Sequence, residues 1–343
     1  MKTQVYSLFI LLLLVNVSRL QAGESSAQLY NNEGFFGTHD ILELKIQADL
    51  DFIFNDTSVN PDYSEGVLIH DGSIYNVKLK PRGNFRRENC KMPPIKLNFR
   101  KKEVIGTEFN GVDKIKMVTE CFANREKFND IINQEYMVYR LYNILTPYSF
   151  RVRMARIEFV DISGKIEPYT SWSFFIEDDD EMARRLDMNK MEHQNIHQEH
   201  TDRHMITLLS VFNYLIGNTD WSVSNLHNIE LLQKRPHDLP IAVPYDFDWA
   251  DFVNAPYATA HKTIDPQKEE EKKYRGYTRT DEELEKVFDI FRDNREEIYM
   301  LYEEYPYLSD KGKKMVRKEL DDFYHTIETP RLANTVFVEN SRS

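Results

Sequence analysis

Polar and apolar residues change their period along this chain, and the change divides it. Residues 41–47 (Ile41-Leu42-Glu43-Leu44-Lys45-Ile46-Gln47) alternate as a half-buried strand does. Residues 67–70 and 74–80 flank Asp71-Gly72, a pair suited to tight turns, and predict a hairpin. Arg82-Gly83-Asn84-Phe85 reads as a turn, with strands following at 94–99 and 114–119. Over 125–145 the period lengthens, and Phe128, Ile131, Ile132, Val138, Tyr139, Tyr142 and Leu145 fall on one helix face. Strands return at 151–160 and 167–176, joined at Ser163-Gly164. The charged run Glu177-Asp178-Asp179-Asp180-Glu181 then breaks the pattern. Helices dominate the remainder, at 180–188, 201–216, 281–304 and 310–327, with short strands at 228–232 and 240–245. Thr280 and Glu283 predict a capping box for the third of these helices. The order is that of an α+β protein, with a sheet-rich part over 23–176 and a helical part over 177–343.

Composition adds a large core and a compartment. With 343 residues, 41% hydrophobic and 13% aromatic, the chain is not a disordered one. At the N-terminus Lys2, the apolar run Leu8 to Val15 and Leu20-Gln21-Ala22 predict a signal peptide over 1–22, cleaved near Ala22. No Cys follows Ala22, so a lipid anchor is not indicated, and no membrane span is expected in the mature chain. The expected location is exported: periplasmic, cell-surface or secreted. The net charge of −12 argues against nucleic acid or an anionic membrane as the main partner. Cys90 and Cys121 are the only cysteines, so export predicts a single intrachain disulfide between them.

The candidate chemistry lies in Ile216-Gly217-Asn218-Thr219-Asp220-Trp221-Ser222-Val223-Ser224-Asn225 and, further on, Tyr245-Asp246-Phe247-Asp248. An Asp, an Asn five residues later and an Asp after the next apolar run match a phosphoryl-transfer layout. The first carboxylate takes the proton of an attacking hydroxyl, and the other two groups hold magnesium on nucleotide phosphates. Each residue has a plainer reading as a turn or strand-end residue. Asp248, two residues on, would share a strand face with Asp246 and serve as a second metal ligand or an outer-shell group. Glu135 sits inside the apolar stripe of the 125–145 helix, where a carboxylate is costly unless paired. Lys116 and Lys96, both on predicted strands, are its candidate partners and the candidate phosphate anchors. His193, His197, His200 and His204 would share a face on one continuous helix. Gln194 stands where a zinc protease motif needs Glu, so a polar linker is the preferred reading over a zinc hydrolase. The run 268–273 reads as a solvated loop or helix end.

Gly217-Asn218-Thr219-Asp220 through Asn225, followed by Tyr245-Asp246, resembles the catalytic segment of the HipA-type kinases. Arg82-Gly83-Asn84, together with Gly217-Asn218-Thr219-Asp220 and Asp246-Phe247-Asp248, resembles the CotH kinase family, a group of exported atypical kinases. The likeness covers residues 75 to 250 loosely. It implies a bilobal protein-kinase-like fold with a sheet-rich N-lobe and a helical C-lobe. It also implies ATP with Mg2+, and transfer of phosphate to a protein or cell-surface acceptor. By the same resemblance Asp220 is the catalytic Asp, Asn225 and Asp246 bind metal, and Arg82 and Asn84 lie near the nucleotide. Trp221 and Ser222 depart from the HipA pattern, no Gly follows Asp246-Phe247, and no Gly-rich phosphate loop is present. The alternative is a kinase-like binding or envelope-assembly protein without catalysis.

Overall fold

The computed structural model describes residues 34–83, 85–122, 126–258 and 272–343, the side chains of 126–129 excepted. The signal-peptide reading over 1–22, Asn84, the side chain of Phe128 and most of the 268–273 run lie outside the described residues.

Alternating burial builds the first part. Strands β1 (Leu42–Ala48), β2 (Ser64–His70), β3 (Ser73–Pro81), β4 (Ile95–Phe99), β5 (Lys114–Thr119), β6 (Val152–Asp161) and β7 (Tyr169–Ile176) close into a barrel in the order β1-β2-β3-β4-β5-β7-β6. All neighbours are antiparallel except β1 and β6, which run parallel and close the ring. The expected hairpin turns at Asp71 and Gly72, both at positive φ (46° and 76°), as a tight two-residue connection requires. Inward residues such as Leu44, Ile46, Leu68, Val77, Leu79, Leu97 and Met117 fill the barrel.

The outer face of β5, β6 and β7 carries a second core. Val118, Val152, Met154, Phe174 and Ile176 pack with the helix Glu126–Leu145 and with the helices that follow. Those helices are Asp179–Arg185, Arg203–Ile216, Asp281–Asp293, Arg295–Glu303 and Asp310–Glu328. A three-stranded sheet, β8 (Asn189–Lys190), β9 (Ile229–Gln233) and β10 (Ile241–Pro244), packs with the helix Arg203–Ile216 through Ile206, Leu209, Ile229, Leu231 and Ala242. The protein is thus α+β, sheet-rich first and helical second. No helix among the described residues is long and apolar enough to cross a membrane.

Three expectations are adjusted. The helix foreseen over 281–304 is two, broken at Asn294, whose side-chain amide donates to Ile290 O at 2.8 Å; the capping box at Thr280 and Glu283 is present. Arg82-Gly83-Asn84-Phe85 leads into a short helix, Phe85–Asn89, which the turn reading missed. The four histidines do not share one helix: His197 caps a 3-10 turn at Gln198–His200, and His204 lies in the first turn of the next helix, Arg203–Ile216. Cys90 and Cys121 are bonded to each other, as expected.

Candidate active site

The site begins where the helix Arg203–Ile216 stops. Gly217 caps it at φ +65°, and a Cβ there would run into the Asp251 side chain, so both backbone and space call for glycine. Asn218 is buried in the following turn. Its Nδ2 donates to Asn213 Oδ1 at 2.9 Å and its Oδ1 accepts from Asp220 N at 2.9 Å, which fixes Asp220 to the helix end. The Asp220 carboxylate lies 2.8 Å from His227 Nε2 and accepts from Asn228 Nδ2 at 3.0 Å; the same amide donates to Asp220 O at 2.8 Å.

Asn225, the expected metal-binding amide, does not line the cleft. Ser222 and His227 exchange backbone hydrogen bonds at 2.9 and 3.0 Å, and this tight return leaves Asn225 exposed while bringing His227 and Asn228 back to Asp220. Asn228 is the amide that stands in the cleft, at φ +53°.

After β10 the chain leaves the extended conformation. Asp246 has φ +60°, and its N–H donates to Tyr139 Oη at 2.8 Å. A non-glycine residue held there is a local strain of the kind that collects at functional sites. Asp248 is 3% exposed and accepts from Tyr257 Oη at 3.0 Å. Burial first, and then the neighbouring Asp246, push its carboxyl up to about 7 against the pull of Arg86.

Arg82, Gly83, Phe85, Arg86, Lys116 and Phe150 face these groups across a cavity of about 390 Å³ that Asp220, Asn228, Asp246 and Asp248 also line. Lys116 Nζ is 2.7 Å from Asp179 Oδ1. Burial works against the Asp179 charge, but Lys116 and Lys190 hold its carboxyl well below the usual range. Lys96 is opposite Lys116 on β4, lies 3.6 Å from Asp178 Oδ2 and does not line the cavity. Glu135 meets neither lysine. It is fully buried and faces Arg86 Nη1 at 3.5 Å, while Arg86 Nη2 donates to Thr119 O at 2.6 Å. The short helix Phe85–Asn89 explains the difference, since it carries Arg86 beneath the cleft, and the Cys90–Cys121 bond ties its end to the segment after β5. Burial raises the Glu135 carboxyl well above its ordinary value, with Arg86 opposing.

No protein-family model matches the chain, and no curated protein does. Among solved structures it is similar to the Helicobacter pylori proinflammatory kinase CtkA, at 10% identity over 79% of this chain and 90% of that one, with a TM-score of 0.35. It is similar to the Golgi casein kinase at 11% identity over 91% and 79%, TM-score 0.34, and to that kinase with Mn/ADP bound at 10% over 94% and 80%, TM-score 0.34. Scores of this size do not establish a shared fold.

Of the residues singled out in the sequence, Arg82, Lys116, Asp220, Asp246 and Asp248 share one cavity, with Glu135 behind it. Arg86, His227, Asn228, Tyr139 and Tyr257 were missed. Asn228 had a signal, because it stands at the start of the predicted strand 228–232. Arg86 had none beyond its nearness to Arg82-Gly83. Asp220, Asn228, Asp246 and Asp248 offer carboxylate and amide oxygens, the ligands a hard cation such as Mg2+ takes, and His227 Nε2 stands against Asp220 beside them.

Proposed function

We propose that the chain is an exported atypical kinase of bilobal type, moving a phosphoryl group from a magnesium nucleotide, with ATP as the first candidate, to a hydroxyl of a protein or surface component. What carries this reading is the meeting of Asp220, Asp246 and Asp248 with Lys116, Arg82 and Arg86 across one cavity. Carboxylates for metal and base face cations for phosphate, the two halves that phosphoryl transfer needs. The resemblance of Arg82-Gly83-Asn84 and Asp246-Phe247-Asp248 to the CotH kinases supports it. The disulfide and the signal-like N-terminus support export.

Asp220 accepts the proton of the acceptor hydroxyl, with His227 and Asn228 holding its carboxylate in place. Asp246, Asp248 and Asn228 would hold magnesium, which when bound neutralises charge on the nucleotide phosphates. Arg82, Arg86 and Lys116 supply positive charge on the other wall. Arg86 takes the place foreseen for a lysine beside Glu135, and Val118, Phe150, Ile176 and Leu226 give the cavity an apolar lining that excludes water. Calorimetry with magnesium-ATP and phosphate transfer by the purified chain test this together. Absence of any magnesium-nucleotide binding by the folded protein overturns it.

One observation favours the alternative, a kinase-like binding protein without catalysis: Lys116 is already engaged by Asp179 at 2.7 Å. Full function in cells with Asp220→Ala would decide for that reading.

A further inference from the structure

Glu177-Asp178-Asp179-Asp180-Glu181, the charged run between the sheet-rich and helical parts, meets lysines from both. Asp178 caps the helix Asp179–Arg185 by accepting from Asp180 N at 3.2 Å, and its Oδ2 lies 3.6 Å from Lys96 Nζ on β4. Asp179 takes two lysines at once. Its Oδ1 is 2.7 Å from Lys116 Nζ on β5, and its Oδ2 accepts from Lys190 on β8. Lys190 also lies 2.9 Å from Asp180 Oδ1. The Lys116, Asp179 and Lys190 side chains are 20%, 19% and 21% exposed, so these contacts are partly withdrawn from water and less screened than surface pairs.

The two ends of the Lys116–Asp179 pair differ in place. Lys116 lines the cavity, beside Phe150, whose ring centre is 5.8 Å from its Nζ; Asp179 does not line it. On the same wall Arg86 has its carboxylate, Glu135, beneath the cleft and donates to Thr119 O. Lys116 instead gives its charge to a carboxylate outside the cavity. Asp179 is fixed at the start of a helix, whereas Lys116 carries its ammonium on a flexible four-carbon stem, so the lysine is the partner able to turn. When Lys116 leaves, Asp179 keeps Lys190 and is not stranded as an unpaired charge. An exchange of counter-ions requires this second cation.

We propose that Asp179 is a built-in competitor for the nucleotide: it holds Lys116 in the free protein, and Lys116 passes to a nucleotide phosphate on binding while Lys190 keeps Asp179 paired. This rests on the kinase reading, and the test separates the two. Calorimetry on the full chain measures two probes, magnesium-ATP and tripolyphosphate. Asp179→Asn is expected to bind both about tenfold more tightly than the wild type, the size of one charge-assisted contact no longer to be broken. Lys190→Met leaves Asp179 with Lys116 alone and is expected to weaken both. Each shift is expected to vanish when Lys116 is replaced by Met, because a mere change in the local field would act with or without that lysine. Unchanged or weaker binding by Asp179→Asn, or the same gain in Asp179→Asn/Lys116→Met as in Asp179→Asn, overturns the proposal; magnesium-ATP binding by the wild type then still supports the kinase reading. Tripolyphosphate binding that follows the expected pattern, with no variant binding magnesium-ATP, overturns the kinase reading and leaves the exchange. Binding of neither probe by any variant overturns both.

Discussion

Glu135 and Arg86 face each other at 3.5 Å beneath the cleft, both almost fully buried, and neither Glu135 oxygen has a hydrogen-bond partner among the described residues. A carboxyl and a guanidinium out of water at this distance depend on each other. Glu135→Ala is expected to destabilise the fold by about 3 to 5 kcal/mol, because it strands a buried guanidinium. The double replacement Glu135→Leu with Arg86→Met is expected to cost less than Glu135→Ala alone. Urea unfolding of the three variants checks both statements.

Asp248 ties stability to pH. The folded state keeps its proton up to about 7, while the unfolded chain releases it near its ordinary value of 3.8. Between those values the folded state binds more protons, so this group's contribution to stability falls as pH rises through the window. Glu135, also raised, acts in the same direction. Without added metal, Tm is expected to decline from pH about 5 to about 7.5, and Asp248→Asn is expected to flatten part of that decline. Magnesium, if held by the ionised carboxylates, raises Tm more at the upper end of the window, and Asp246→Ala removes that gain.

The Asn228 assignment has a direct control in Asn225. Asn228→Ala removes two hydrogen bonds to Asp220 and is expected to lower turnover, whereas Asn225→Ala at an exposed position leaves it unchanged. Asp220→Ala is expected to reduce kcat by about 10² to 10⁴ fold with nucleotide binding largely kept, and Asp246→Ala to weaken both. Parallel calorimetry and transfer assays on the four variants separate the roles.

The Cys90–Cys121 bond spans 31 residues. Chain entropy gives it roughly 3 to 4 kcal/mol of stabilisation. It also holds the helix that carries Arg86, so reduction is expected to weaken magnesium-nucleotide binding at temperatures where the protein is still folded. Calorimetry with and without a reductant, with Cys90→Ser/Cys121→Ser as reference, measures this.

Much of the fold was legible because period and burial agree. The alternation at 41–47 became β1, the Asp71-Gly72 pair became a positive-φ turn, and the stripe on 125–145 became the helix Glu126–Leu145. What stayed hidden depends on contacts distant in sequence. Helices of five and six residues, Phe85–Asn89 and Leu50–Asn55, are too short to carry a periodic signal and form where tertiary contacts hold them. Arg86 therefore had no separate signal in the sequence. The parallel closure of β1 on β6 joins residues more than a hundred positions apart. Asp220 and Asp246 were readable by residue type, whereas the choice between Asn225 and Asn228 turns on a return of the chain that spacing alone does not specify.

Closure of the seven-stranded sheet has one more effect. A ring has no first or last strand, so its backbone donors and acceptors are already matched within itself, and an extended polypeptide finds no row of free amides there to join. Strand-by-strand polymerisation through this half of the molecule is thereby blocked. The three-stranded sheet β10-β9-β8 is not closed in this way, and there β9 alone has a strand neighbour on both sides.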